Sequence, residues 1–315
     1  MTAGMAGSRK YLVITRAGAN SLHRAWLEPQ GARNFDLFLT TYAPGVPPTR
    51  SEGVIEAFIP GTKVAGWRRI VEDYRELLLR YEFVAFIDDD IITDAIAISR
   101  MFEIGEEAGL HIWQPSLSPN SYFTYAGTLR NPIFRYRSVN FIEMMCPFFS
   151  IDALNAVSGM FRLGLESGID LVWCSLVPER MRQFAIIDEV SVHHSRPVSG
   201  QKEENGFGSA GYEEHIYACL NQFEMKWPSL IASGGVLRNG RKVGRIQATA
   251  LTALCMAGYM MKSWRSGPRP FLEHIRHQFS RKVEYTDSAG IRLNWLLDKE
   301  FVFNARLAEP SSQKS

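Results

Sequence analysis

Along the first 115 residues, short apolar runs alternate with stretches whose apolar residues recur at helical spacing, the signature of strands and helices laid down in turn. Tyr11 to Thr15, Phe35 to Thr40, Val54 to Ile59, Phe83 to Ile87 and Leu110 to Trp113 read as strands. A turn at Gly18 precedes a short helix expected over Leu22 to Leu27, and Pro44, Pro47 and Pro48 mark a loop. From Val64 to Tyr81, the residues Trp67, Ile70, Val71, Tyr74, Leu77 and Leu78 share a helical face, and Ala95 to Ala108 reads as a second helix. Phe83-Val84-Ala85-Phe86-Ile87 is apolar at every position, as in a strand covered on both faces. The alternation predicts an α/β fold with a Rossmann-type mixed, mainly parallel sheet flanked by helices.

Beyond residue 115 the periodicity loosens. Ser121 to Phe149 holds Tyr122, Phe123, Tyr125, Phe134, Tyr136, Phe141, Phe148 and Phe149. Such a stretch suits a core, or a sugar-binding cleft in which ring faces stack on the substrate. Helices are expected at Ile151 to Leu163 and Ile169 to Leu176, followed by strands at Phe184 to Ile187 and Val190 to Val192 that end in His193-His194. Ser199 to Gly211 is polar and glycine-rich and cannot pack a core, so it reads as a mobile loop, either a lid or a passive surface segment. These signals divide the chain into a domain at 10–232 and a helical basic region at 233–308, with disordered ends at 1–9 and 309–315.

Composition excludes a disordered or fibrous chain, since 46% of the 315 residues are hydrophobic. Cys146, Cys174, Cys219 and Cys255 form no CxxC pair and fit reduced thiols in a cytoplasmic protein. Tyr11 to Ile14 is too short for a signal sequence. The net charge of +2 is unevenly spread: Arg238 to Lys282 carries ten Lys/Arg and one acid, leaving 25 Lys/Arg against 32 Asp/Glu elsewhere. Residues 238–282 are therefore expected to rest on an anionic membrane surface, at its inner face, to grip an anionic acceptor, or to dock on the core with their charges solvated. No nucleic-acid motif accompanies the charge, and GxGxxG and GxxxxGK[ST] are absent.

The chemistry gathers at Asp88-Asp89-Asp90, directly after the apolar strand. Ligands of open α/β sheets bind outside the carboxyl ends of strands. Strand alternation would send Asp88 and Asp90 to one side and Asp89 to the other. Two oxygen ligands on one side suit Mg or Mn with open positions for phosphate oxygens. Helix capping explains Asp94 and one of the triplet, but not three adjacent acids.

The order of apolar strand, acidic cluster, acid at a helix start and strand-terminal histidine resembles the glycosyltransferase-A fold of nucleotide-sugar-dependent transferases. Phe83 to Asp90 looks like its DxD motif, Asp170 in Gly168-Ile169-Asp170-Leu171 like its acceptor-side acid, and His194 like its metal-binding histidine. More narrowly, Phe83 to Asp90, Gln114 to Pro119, Phe141 to Ser150 and Asp188 to Pro197 are similar to an uncharacterised plant and bacterial family with this expected fold. The resemblance spans Lys10 to Pro197. It implies a divalent metal held by Asp88, Asp90 and His194, or His193 if the strand is shifted by one residue. It also implies a nucleotide-sugar donor contacted by Lys63, Asp88, Asp89 and Thr15, with a glycan, glycolipid or small-molecule acceptor.

Departure of a nucleoside diphosphate develops negative charge that a metal stabilises, and an acceptor hydroxyl attacks more readily when a carboxylate takes its proton. Asp170 is the candidate base, which implies inversion; Glu143, an acid within an apolar run whose pKa burial would raise, is the other. Two rivals remain at this level. One is a haloacid-dehalogenase-type phosphotransferase, whose pattern wants Thr or Val where this chain has Ile92. The other is a catalytically inactive glycan- or nucleotide-binding module.

Overall fold

A computed structural model describes residues 9–197, 209–262 and 267–285. Its elements run β1 (Tyr11–Ala17), β2 (Phe35–Thr41), β3 (Val54–Phe58), α1 (Lys63–Asp73), α2 (Arg75–Leu78), β4 (Phe83–Phe86), β5 (Ile91–Ile92), α3 (Ala95–Glu107) and β6 (Ile112–Leu117). There follow β7 (Phe134–Val139), β8 (Phe148–Ser150), α4 (Ile151–Ser158), α5 (Ile169–Leu176), β9 (Phe184–His194), α6 (Ser209–Gln222), β10 (Ala232–Leu237), β11 (Lys242–Val243), α7 (Arg245–Lys262) and α8 (Arg269–Ser280).

The strands join in the order β11-β10-β7-β9-β6-β8-β4-β1-β2-β3, with β5 paired to β9 off that path. Within the ordered path β3, β2, β1, β4, β6, β9 and β10 run in one direction, and β8, β7 and β11 run against them. The mixed, mainly parallel α/β architecture expected from the alternating pattern is thus what the chain forms. One core lies on each sheet face. Trp67, Ile70, Phe86, Phe149 and Trp173 centre the first, and Trp26, Phe35, Phe102, Trp113 and Phe148 the second.

The differences from the sequence reading have local causes. The helix expected to reach Tyr81 breaks at Tyr74 (φ −116°, ψ 26°) and resumes as α2. The two strands expected at 184–192 are one, β9, with a register shift against β6 between Pro115 and Ser116. Strands β10 and β11 extend the sheet into the region read as purely helical, so the expected boundary after residue 232 falls inside the sheet. The glycine-rich segment read as either a lid or a passive surface loop lies mostly outside the described residues, and α6 begins at Ser209.

Strand β7 escaped the sequence pattern because its interior position is an arginine. Arg137 is 1% exposed and donates to both oxygens of Asp188 on β9 (2.7 and 3.0 Å) and to the carbonyls of Gly127 and Leu129 (2.9 Å each). The backbone N–H of Asn131 completes the Asp188 carboxylate at 2.7 Å. Breaking a buried pair from one side strands the other charge. Arg137→Met is expected to lower unfolding stability by about 3–5 kcal/mol, and Arg137→Met/Asp188→Leu to recover most of it, in chemical denaturation.

Candidate active site

A cleft of about 700 Å³ opens at the carboxyl ends of β1, β4 and β9, and Asp88, Asp89, Asp90, Lys63, Glu143, Asp170 and His194 all line it. This is where ligands of open α/β sheets sit. The acidic triplet does not alternate as strand residues would. Strand β4 stops at Phe86, and Asp88 to Ile91 forms a turn closed by Ile91 N–H to Asp88 O at 3.2 Å. Released from the pleat, all three carboxylates face the cleft, and Asp89 does not turn away.

Each carboxylate meets a protein cation, so the triplet is neutralised in part by the chain's own side chains. Lys63, at the start of α1, reaches Asp88 at 2.6 Å and the carbonyl of Met144 at 2.9 Å. Asp89 accepts from Gly18 N–H at 2.9 Å and from Arg196 at 3.3 Å. Asp90 meets His194 Nε2 at 3.2 Å. Burial raises the Asp88 carboxyl to about 6 against the pull of Lys63. The 31% of its side chain that still meets solvent limits that rise. At Asp90 burial also opposes ionisation, but the bond and charge of His194 outweigh it and hold the carboxyl below its usual range. The reciprocal effect raises His194 despite its burial.

Strand β5 decides which histidine enters the site. Ile91 pairs with His194 and Ile92 with His193, antiparallel. Ile91 is fully buried and Ile92 is half exposed. Ser195 ties the same corner by donating its hydroxyl to Asp90 O at 2.7 Å. His193 does not line the cleft; its Nδ1 bonds Ser118 at 3.0 Å. His194 Nδ1 lies 3.0 Å from the carbonyl of Tyr122, which fixes that nitrogen as a donor; the protonated ring also donates from Nε2 to Asp90, and loss of that proton would free Nε2 for a metal ion.

Among the described residues no three His, Cys, Asp or Glu side chains form a ready metal cage. The Asp90–His194 pair nevertheless fits one ion. Its donor atoms are spaced as neighbouring ligands at about 2.1 Å from a shared centre would be, and Mg or Mn bound beside a diphosphate takes most other ligands from phosphate and water. Asp88, held by Lys63, is not part of that pair.

The other wall is built by residues 140–147, a loop pinned at nearly every position. Trp173 Nε1 holds the carbonyl of Ile142 at 3.0 Å, Glu143 N–H donates to Gln114 Oε1 at 2.7 Å, and Met144 N–H donates to Asp170 at 3.2 Å. Asp88 N–H closes the loop on Met145 O at 3.0 Å. Asp170 lies in the first turn of α5, whose entry at Gly168 has φ 85°, open to glycine without strain. Burial raises Asp170 to about 6, partly offset by its backbone N–H bonds. Glu143, 6% exposed with Oε2 lacking a hydrogen-bond partner, is raised to about 8 by burial and then by Asp170.

That shift has a stability consequence. Between 4.5 and about 8 the folded protein keeps on Glu143 a proton that the unfolded chain has released, so stability falls as pH rises through that window. Glu143→Gln is expected to leave Tm nearly unchanged near pH 5 and to raise it near pH 9, by a few kcal/mol in stability, in melts at about those two pH values.

Residues with no motif complete the cleft. Strand β1 runs two residues past its expected end, so Thr15 is buried in the sheet and does not line the cleft, while Arg16 does. Arg16 donates to the carbonyls of Ile59 (3.0 Å) and Gly61 (2.6 Å), and its buried Nη1 has no partner. It lies flat on α1 at Gly66, where a Cβ would come within 1.9 Å of Nη1. The carboxylate of Glu166 caps α1 through Val64 N–H (2.8 Å) and Ala65 N–H (3.0 Å). Opposite, Trp227 is 45% exposed, with its indole N–H on the Tyr125 hydroxyl at 3.2 Å and its ring edge-on to Tyr217. Arg16, Arg196, Glu166 and Trp227 are separated in sequence, and no spacing rule connects them.

No family model and no curated protein matches the chain. Among solved structures, it is similar to residues 1–349 of TarS from S. aureus, at 9% identity and a TM-score of 0.41, covering 86% of this chain and 73% of that one. The same protein in complex with UDP-GlcNAc matches at 10% identity and a TM-score of 0.40, over 85% and 72% of the two chains. A197 from STIV matches at 12% identity and a TM-score of 0.32, over 59% and 85%. These likenesses are loose, and the chemistry of the cleft rests on its own residues.

Proposed function

We propose that this protein is a metal-dependent, inverting glycosyltransferase that moves a sugar from a nucleotide-sugar to an acceptor hydroxyl. The observation that supports the reading is one cleft with cationic groups and the Asp90–His194 pair on one wall and two carboxyls of separated pKa on the other. Its volume, about 700 Å³, suits a ligand of nucleotide-sugar size.

Mg or Mn, held by Asp90 and His194, would neutralise the charge that develops on the leaving diphosphate. Lys63, whose ammonium sits between Asp88 and Met144 O at the cleft wall, would hold phosphate oxygens of the donor, and the Arg16 guanidinium, packed on Gly66, would add positive charge there. At neutral pH Asp170 is ionised and Glu143 is not. Asp170 therefore accepts the proton of the acceptor hydroxyl, and Met144 N–H orients its carboxylate for that task. Glu143, carrying its proton, donates a hydrogen bond to an acceptor oxygen. The fixed indole face of Trp227 offers a stacking surface for a sugar ring on the acceptor side, which favours a glycan or glycolipid over a small polar acceptor.

The test is a thermal-shift panel of UDP, GDP, ADP, CDP and TDP, each with and without Mn, with UDP-GlcNAc added to the series. One nucleotide is expected to raise Tm only when metal is present. No shift with any nucleotide would overturn the reading and make phosphatase activity the next assay.

A further inference from the structure

The last two helices among the described residues present an exposed surface that neither the core nor the cleft uses. Helix α7 has no charged residue between Arg245 and Lys262. It buries Ala248, Thr249, Thr252 and Met256, and its outward stripe of Ile246, Ala250, Leu254, Ala257 and Met261 is apolar. Ile246 and Met261 are 86% and 84% exposed, and Leu254 is 65% exposed. Helix α8 packs beside it by burying Phe271, His274 and Gln278, and Gln278 bonds both Thr249 and the backbone of Ala232. Its outward stripe is Arg269, Leu272, Arg276 and Phe279, in which two arginines alternate with two exposed apolar side chains. Arg238, Arg241, Lys242, Arg281 and Lys282 are also exposed at the ends of these elements, against Glu273 and Glu284.

We propose that the outward faces of α7 and α8 form a docking surface for an anionic lipid bilayer. Three features favour a bilayer over a protein partner. The apolar side chains run in stripes along the helices, the geometry of a helix lying in the headgroup boundary, and on α8 Arg269, Leu272, Glu273 and Arg276 line an open hollow of about 430 Å³. Arginines interleave with them, and their long stems let the charge reach phosphate while the apolar neighbours insert. The rest of the chain is net acidic, so attraction to a negative surface turns this side toward it. Among the described residues no helix is long and apolar enough to cross a membrane, so the contact is peripheral. The inference stands apart from the glycosyltransferase reading and does not depend on it.

The test is co-sedimentation of the full chain with vesicles of phosphatidylcholine alone and of phosphatidylcholine with about one-third phosphatidylglycerol, at low and high salt. Binding is expected only to the anionic vesicles and should weaken with salt. Arg269→Glu/Arg276→Glu should weaken it by at least about 30-fold, from roughly fivefold per basic residue. Leu254→Glu/Met261→Glu should abolish it while leaving Tm and any nucleotide-induced shift as in the unmodified protein, since these side chains are exposed. Absence of binding to anionic vesicles at low salt would overturn the proposal. So would binding that both variants retain, or a concentration-dependent dimer that the Leu254/Met261 variant dissolves, which would make a second copy of the chain the occupant.

Discussion

Asparagine in place of Asp170 is expected to lower kcat by about 10²–10⁴-fold with little change in donor KM, because it removes the proton acceptor and keeps the shape of the α5 entry. The pH profile carries the assignment. With Asp170 as base, the rate should rise with its ionisation, half-maximal at about 6, and the limb should vanish in the variant. Glu143→Gln should keep that limb and lose rate only modestly, since an amide still donates a hydrogen bond. If instead Glu143→Gln removes activity and the limb lies at about 8, the two acids exchange roles. If both variants remain active, neither acid is the base and a retaining mechanism becomes the reading to test, by the anomeric configuration of the product. The two groups sense one another, so the measured values belong to the pair.

Alanine in place of Asp90 is expected to eliminate metal-dependent nucleotide binding. For the unmodified chain at a nucleotide concentration one hundred times Kd, linkage gives about 2.7 kcal/mol of added stability, and Asp90→Ala should lose nearly all of it. His194→Ala should do the same, because it removes the other donor of the pair. His193→Ala should not, since that ring bonds Ser118 outside the cleft. Asp88→Asn separates the roles within the triplet: it releases Lys63 rather than the metal, so metal dependence should persist while nucleotide affinity changes. Titration of Mn against Tm for the four variants checks the whole set.

Much of the scaffold was legible from periodicity. The strand entering the acidic turn, α3 and α5 lie where the apolar spacing puts them, because burial of a helix face or a strand pair leaves its period in the sequence. Strand β7 left no such trace, since its interior position is an arginine whose partner, Asp188, lies 51 residues away. The extra length of β1 was equally hidden, and it exchanges Thr15 for Arg16 at the cleft. A one-residue difference at a strand end reverses which side chain faces the site.

The sequence by itself determined the fold class, the position of the acidic turn at a buried strand's end, and the acids Asp170 and Glu143 as chemistry awaiting a place. Only the tertiary structure decided that His194 rather than His193 enters the cleft, that Lys63, Arg196 and His194 each answer one aspartate, and that the loop at 140–147 sets Glu143 beside Asp170. Local pattern records what each segment buries. Which side chains meet across the cleft depends on strand register and loop pinning between residues as far apart as Ile91 and His194, and that information is carried by packing alone.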